Sequence, residues 1–144
     1  MKLGMIGLGR MGGNMAERLL RGGHHVVGYA RRPEGLERIL KLTLGADGVT
    51  TLPALVEKLR PPRVVWLMIP SGETVDQMLA ALTPLLAGGD VVVDGGNSYY
   101  RDSMRRSAML AERGLRFIDV GTSGGIWGLT EGYSMMVGGD PEIV

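Results

Sequence analysis

Leu3-Gly4-Met5-Ile6-Gly7-Leu8-Gly9-Arg10-Met11-Gly12 is the stretch whose reading decides the fold. Leu3 to Ile6 is a short apolar run, and glycines at 7, 9 and 12 follow it at once. Beyond them Met11, Met15, Ala16, Leu19 and Leu20 share one helical face, and Gly22-Gly23 ends that helix. A second strand, Val26 to Ala30, begins within about 25 residues. Strand, glycine turn, helix and strand in that order form a dinucleotide-binding unit. Gly7 permits a tight turn, Gly9 lets backbone approach a pyrophosphate, and Gly12 lets the helix pack on the strand. Leu8, Arg10 and Met11 complete the turn, and the helix N-terminus adds free N–H groups and a positive dipole end. The competing reading is a purely structural strand-to-helix turn.

Further along, short apolar runs alternate with helical patterns, which predicts a Rossmann-type, doubly wound α/β fold. Its sheet is expected to be mainly parallel, with helices on both faces. Pro33 to about Leu44 reads as a weak helix, and Thr51 caps a short one with Pro53 in its first turn. Val64 to Ile69 is a wholly apolar strand. Val75, Met78, Leu79, Leu82, Leu85 and Leu86 make one helical stripe, weakened late by Pro84 and closed by Gly88-Gly89. Strands are expected at Val91–Val93, Leu115–Val120 and Met135–Val137, with a helix from Tyr99 to about Arg113.

The 144 residues predict one dinucleotide-binding domain spanning 1–144, and the net charge of +1 gives no reason to expect a nucleic-acid partner. With no cysteine, disulfides and Cys-based metal sites are excluded; no metal site is expected. The longest apolar run, Val64 to Pro70, is far below the ~20 residues of a membrane helix. A soluble, cytoplasmic domain without membrane contact is therefore expected. The 24 glycines are more than double the usual ~7% share, and they cluster at the ends of apolar runs.

The second strand ends Tyr29-Ala30-Arg31-Arg32-Pro33. An NAD site usually places Asp or Glu at this tip, where it bonds the ribose 2′-hydroxyl. Here Ala30 is followed by two guanidinium groups, which can clamp a 2′-phosphate and favour NADP. Glu34 lies close by and leaves NAD open. The bland alternative is that both arginines are solvated loop charges.

A second glycine-rich stretch, Asp94-Gly95-Gly96-Asn97-Ser98, follows Val91-Val92-Val93. Its glycines would let backbone approach a flat ligand, and Asn97 offers both a donor and an acceptor. Together with the first motif and with Val120-Gly121-Thr122-Ser123-Gly124-Gly125, this stretch resembles the N-terminal part of decarboxylating 6-phosphogluconate dehydrogenases, of the shorter bacterial type. The resemblance covers nearly the whole chain. The related 3-hydroxyisobutyrate-type dehydrogenases share the first motif and a similar Ser-Gly-Gly, but do not usually carry Asp-Gly-Gly-Asn-Ser.

That resemblance implies roles for particular residues. Asn97 would touch both the nicotinamide and the sugar acid, Ser123, Gly124 and Gly125 would hold substrate, and Ile69, Pro70 and Ser71 would line the cofactor. It implies NADP-dependent oxidation of 6-phosphogluconate at C3, loss of carbon dioxide and release of ribulose 5-phosphate, as in the pentose phosphate pathway or gluconate utilization. The family's base lysine and its later glutamate acid lie beyond Val144, in a helical C-terminal domain that also forms the dimer interface, so no catalytic residue is expected within this chain. By itself the chain would bind cofactor, turn over little, and expose an apolar patch. Ile126-Trp127 departs from the acidic residue many longer relatives carry after Ser-Gly-Gly. Two other readings fit: a 3-hydroxyisobutyrate-type dehydrogenase, and a non-catalytic NAD(P)-binding module.

Overall fold

The computed structural model describes residues 1–42 and 45–144. Seven strands form one sheet: β1 (Lys2–Ile6), β2 (His25–Tyr29), β3 (Ala46–Val49), β4 (Val64–Leu67), β5 (Val91–Asp94), β6 (Arg116–Ser123) and β7 (Ser134–Gly139). Their spatial order is β3-β2-β1-β4-β5-β6-β7. All neighbours run parallel except β6 and β7, which are antiparallel. This is the Rossmann-type, mainly parallel arrangement the sequence predicts.

The helices are α1 (Arg10–Arg21), α2 (Glu37–Leu40), α3 (Leu52–Glu57), α4 (Glu73–Leu82), α5 (Tyr100–Ala111) and α6 (Gly128–Glu131). On one side of the sheet Leu55, Leu79, Leu82 and Leu110 bury against Ile6, Val27, Val65, Val92 and Phe117. On the other, Met15, Ala16, Leu20 and Ile39 pack on Leu3, Met5 and Val26. Each such aliphatic side chain contributes about 1.5–3 kcal/mol by leaving water. A third cluster joins Val93, Ile118 and Val120; Val93 and Ile118 line an open groove of ≈ 770 Å³ that runs from Met15 across Trp66 to Met135. No helix among the described residues is long and apolar enough to cross a membrane.

Several elements depart from the sequence reading for local reasons. The helix expected over Pro33–Leu44 is a 3₁₀ turn at Pro33–Leu36 followed by one α turn, and its expected end at Leu44 lies outside the described residues. β3 went unpredicted because Ala46-Asp47-Gly48-Val49 is a short edge strand that carries an acid and a glycine. Pro84 sits in a 3₁₀ turn, Thr83–Leu85, that finishes α4 early, as a proline without an N–H requires. β6 runs three residues beyond the predicted Val120, because β7 keeps pairing with it to Ser123.

Two carboxylates stand side by side at the ends of their strands, since Asp94 of β5 is in register with Asp119 of β6. Burial pushes the Asp119 carboxyl above its ordinary value of 3.8; the Ser103 hydroxyl opposes the rise, the Asp94 charge adds to it, and the Arg106 charge opposes it. A raised pKa means that the folded state holds a proton the unfolded chain has released. Stability is therefore lost as pH rises from about 4 through the folded value. Asp119→Asn is expected to raise Tm at pH 7 and to leave it unchanged near pH 3, as followed by circular dichroism melting. Equal shifts at both pH values would contradict this account.

Candidate functional site

The chain changes winding direction between β1 and β4, and in an open α/β sheet ligands bind at the carboxyl ends of the strands flanking that point. A cleft of ≈ 610 Å³ opens there. The glycines of the first turn divide the work of building it. Gly7 has φ +94°, and a Cβ on it would stand 2.2 Å from the Met68 carbonyl oxygen. A Cβ on Gly12 would stand 1.9 Å from the Gly7 oxygen, so both glycines are demanded by backbone packed on backbone. Gly9 differs: nothing lies within 4 Å of its added Cβ, and only open space faces it. Gly9 is also the N-cap of α1, no side chain caps that helix, and its first turn holds no acid. Free N–H groups and a positive helix end remain there for an anion.

Of the residues singled out from sequence, Gly7, Leu8, Gly9, Ala30, Arg31 and Ile69 line this cleft. Arg10, Met11 and Gly12 form the first turn of α1 behind it. Arg32 is exposed and outside the lining, as the N-cap of the 3₁₀ turn that starts at Pro33. Pro70 and Ser71 are exposed on the loop between β4 and α4. The sequence reading missed a wall of the cleft. Thr74, Gln77, Met78 and Ala81 line it from α4, at a spacing that puts them on one helical face. Of the predicted apolar stripe, Val75, Leu79 and Leu82 fill the core, and Met78 sits between core and cleft.

The Asp94–Ser98 loop corrects an expectation. Its glycines do not face open space. A Cβ on Gly95 would stand 2.4 Å from Trp66 Nε1, and one on Gly96 would stand 2.6 Å from the Ile69 carbonyl oxygen. They are needed so that this loop can lie against the β4 loop. Asn97 is the one described non-glycine residue with positive φ, at 55°. Its Nδ2 donates to the Thr122 carbonyl at 3.1 Å, and the Thr122 N–H donates to its Oδ1 at 2.7 Å. The amide thus copies a strand partner and still keeps one N–H and one lone pair for another contact. This pair of bonds places Asn97 beside the end of β6, where Ser123 is the last residue of the strand. Gly124 and Gly125 follow at φ 146° and 48°. Trp127 is two-thirds exposed just beyond them.

Behind the loop lies a fully buried cation. Arg106 Nε donates to Asp76 at 2.9 Å, and Nη2 donates to the Gly72 carbonyl at 2.9 Å. Nη1 reaches Ser98 Oγ at 3.2 Å and Asp94 at 3.4 Å. Asp94 also accepts the Gly96 N–H at 3.0 Å and the Ser98 hydroxyl at 2.6 Å. The Arg106 hydrogen bond holds the Asp76 carboxyl below its ordinary value, with Arg105 adding to the effect.

Comparison with known proteins accords with this geometry. Residues 2–144 match the family model described as the NAD binding domain of 6-phosphogluconate dehydrogenase. The chain is 42% identical, over 96% of its length, to a protein of Haloferax volcanii named 6-phosphogluconate dehydrogenase, NAD(+)-dependent, decarboxylating, and covers 45% of that protein. Among solved structures it resembles the 6-phosphogluconate dehydrogenase of Plasmodium falciparum, studied with its cofactor NADP+ and its substrate 6-phosphogluconate. There the TM-score is 0.90 at 32% identity, over 98% of this chain and 31% of that one. It also resembles a 3-hydroxyisobutyrate dehydrogenase of Mycobacterium tuberculosis, with TM-score 0.86 at 25% identity, over 98% of this chain and 47% of that one. The chain spans less than half the length of the curated relatives it matches.

The turn glycines separate stability from binding. Gly12→Ala forces backbone apart and is expected to destabilise the domain by about 2 kcal/mol or more, measured by urea unfolding. Gly9→Ala is expected to stay within about 0.5 kcal/mol of the wild type. Its methyl group fills the approach to the helix end, so dinucleotide binding, measured by calorimetry, should fall at least about tenfold, or 1.4 kcal/mol. Full binding by Gly9→Ala would remove the turn from the site.

Proposed function

The chain belongs to the family of 6-phosphogluconate dehydrogenase NAD-binding domains, and from that membership we propose that it is the cofactor-binding part of an NADP-dependent, decarboxylating 6-phosphogluconate dehydrogenase working in the cytoplasm. One observation carries the reading. The cofactor cleft and the Asn97–Thr122 bond lie on one continuous row of loops at the carboxyl edge of the sheet, so a dinucleotide seated on Gly9 can extend toward Asn97 and Ser123.

The residues present fit such a cofactor. Open space at Gly9 and the uncapped end of α1 suit a pyrophosphate, and Arg31 on the cleft suits a 2′-phosphate. A bound nicotinamide would supply the hydride acceptor for oxidation of the substrate. The chain itself binds, orients and holds. Asn97, pinned through Thr122, would present its remaining N–H and lone pair to cofactor and substrate together. Ser123 with the backbone N–H groups of Gly124 and Gly125 would hold an oxygen-rich anion. Loss of carbon dioxide needs only a carbonyl β to the carboxylate as an electron sink, so the protein's task is placement and proton movement. In this reading, as the family resemblance implies, a base lysine, an acid and a dimer interface would come from a helical C-terminal domain.

Calorimetric titration of this chain with NADP and NAD tests the cofactor assignment. NADP is expected to bind at least about tenfold more tightly, a difference of 1.4 kcal/mol. Arg31→Ala should abolish that preference, and Arg32→Ala should leave it. Preference for NAD, the cofactor in the Haloferax protein's name, would overturn the ribose reading and keep the fold. For the substrate, a panel of 3-hydroxy acids offered to the longer protein should single out 6-phosphogluconate; selective turnover of 3-hydroxyisobutyrate would move the chain to the neighbouring branch.

A further inference from the structure

We propose that Arg106 is a positioning residue that sets the nicotinamide end of the site against the adenosine end. This inference rests on the cofactor reading above. A fully buried guanidinium is tolerated only when its donors are met, and the acceptors Arg106 meets are informative. Gly72 is the N-cap of α4, and Asp76 sits in the first turn of that helix, whose Thr74, Gln77, Met78 and Ala81 wall the cleft. Ser98 and Asp94 bracket the loop that carries Asn97. One planar cation on α5 therefore ties the wall of the adenosine half to the loop expected at the nicotinamide. What distinguishes this set is its location: Gly72 and Asp76 belong to the start of α4, whereas Asp94 and Ser98 belong to the Asn97 loop. Asn97, held at positive φ, has its second anchor at Thr122, so its remaining N–H points where these two anchors place it. A lysine would keep the charge and lose the fork that reaches both sides.

The test separates positioning from stability by comparing NADPH with 2′-phospho-ADP-ribose, which is the same molecule without the nicotinamide. The wild-type chain is expected to bind NADPH at least about fivefold more tightly than the fragment. In Arg106→Lys and in Ser98→Ala, which deletes one acceptor and carries the test should the lysine variant fail to fold, the advantage of NADPH should vanish. Fragment affinity should stay within about twofold of the wild type. The bound NADPH emission spectrum should shift toward that of the free cofactor in both variants. Equal weakening of NADPH and fragment would make Arg106 merely structural and overturn the proposal, as would an unchanged ratio in both variants. A wild-type chain that binds neither molecule would instead overturn the cofactor reading, and this inference with it. Binding of both by the wild type, with an unaltered ratio in the variants, would sink the inference alone.

Discussion

Everything at the carboxyl edge of this sheet depends on backbone packed against backbone with no side chain between. Gly12 rests on the Gly7 carbonyl, Gly7 on the Met68 carbonyl, and Gly96 on the Ile69 carbonyl. Each contact would be broken by a single added carbon. Together they draw the loops after β1, β4 and β5 into one row, and the Asn97 amide extends that row to the end of β6. The high glycine content follows from this constraint more than from any demand for flexibility.

Buried charge braces the sheet at both ends. At the amino edge Asp90 is fully buried and accepts from the backbone N–H groups of Arg63 and Ala87 and from the Arg63 guanidinium. At the carboxyl edge Arg106 plays the reverse part, a buried cation shared among acceptors on two loops and a helix. Removing one member of such a group leaves a desolvated charge behind, which usually costs about 3–5 kcal/mol. Asp119 is the member of this neighbourhood without full compensation: one of its carboxylate oxygens is buried with no hydrogen-bond partner. A site built by charges this well fixed is suited to holding loops at set distances.

One face of the sheet is covered unequally. Over β1 and β2, α1 and α2 cover the core, whereas Val93 and Ile118 line an open groove. Ile126 and Trp127, in the turn after β6, and Met136 on β7 stand largely exposed.

By itself the sequence determined the doubly wound, mainly parallel class, the central strands, α1 and the glycine turn, because these rest on local signals: apolar period, caps, and glycines at fixed offsets. The Thr51 cap, whose hydroxyl accepts the Ala54 N–H, was legible for the same reason. β3 and α6 were not legible, since short edge segments carry little apolar pattern and form through their neighbours. Tertiary structure alone decided that Gly95 and Gly96 serve loop packing, that Arg31 rather than Arg32 reaches the cleft, and that α4 supplies a wall. It also decided that Asn97 and Thr122, twenty-five residues apart, are one unit. Those facts depend on which atoms from distant segments meet, and a linear pattern holds no record of such distances.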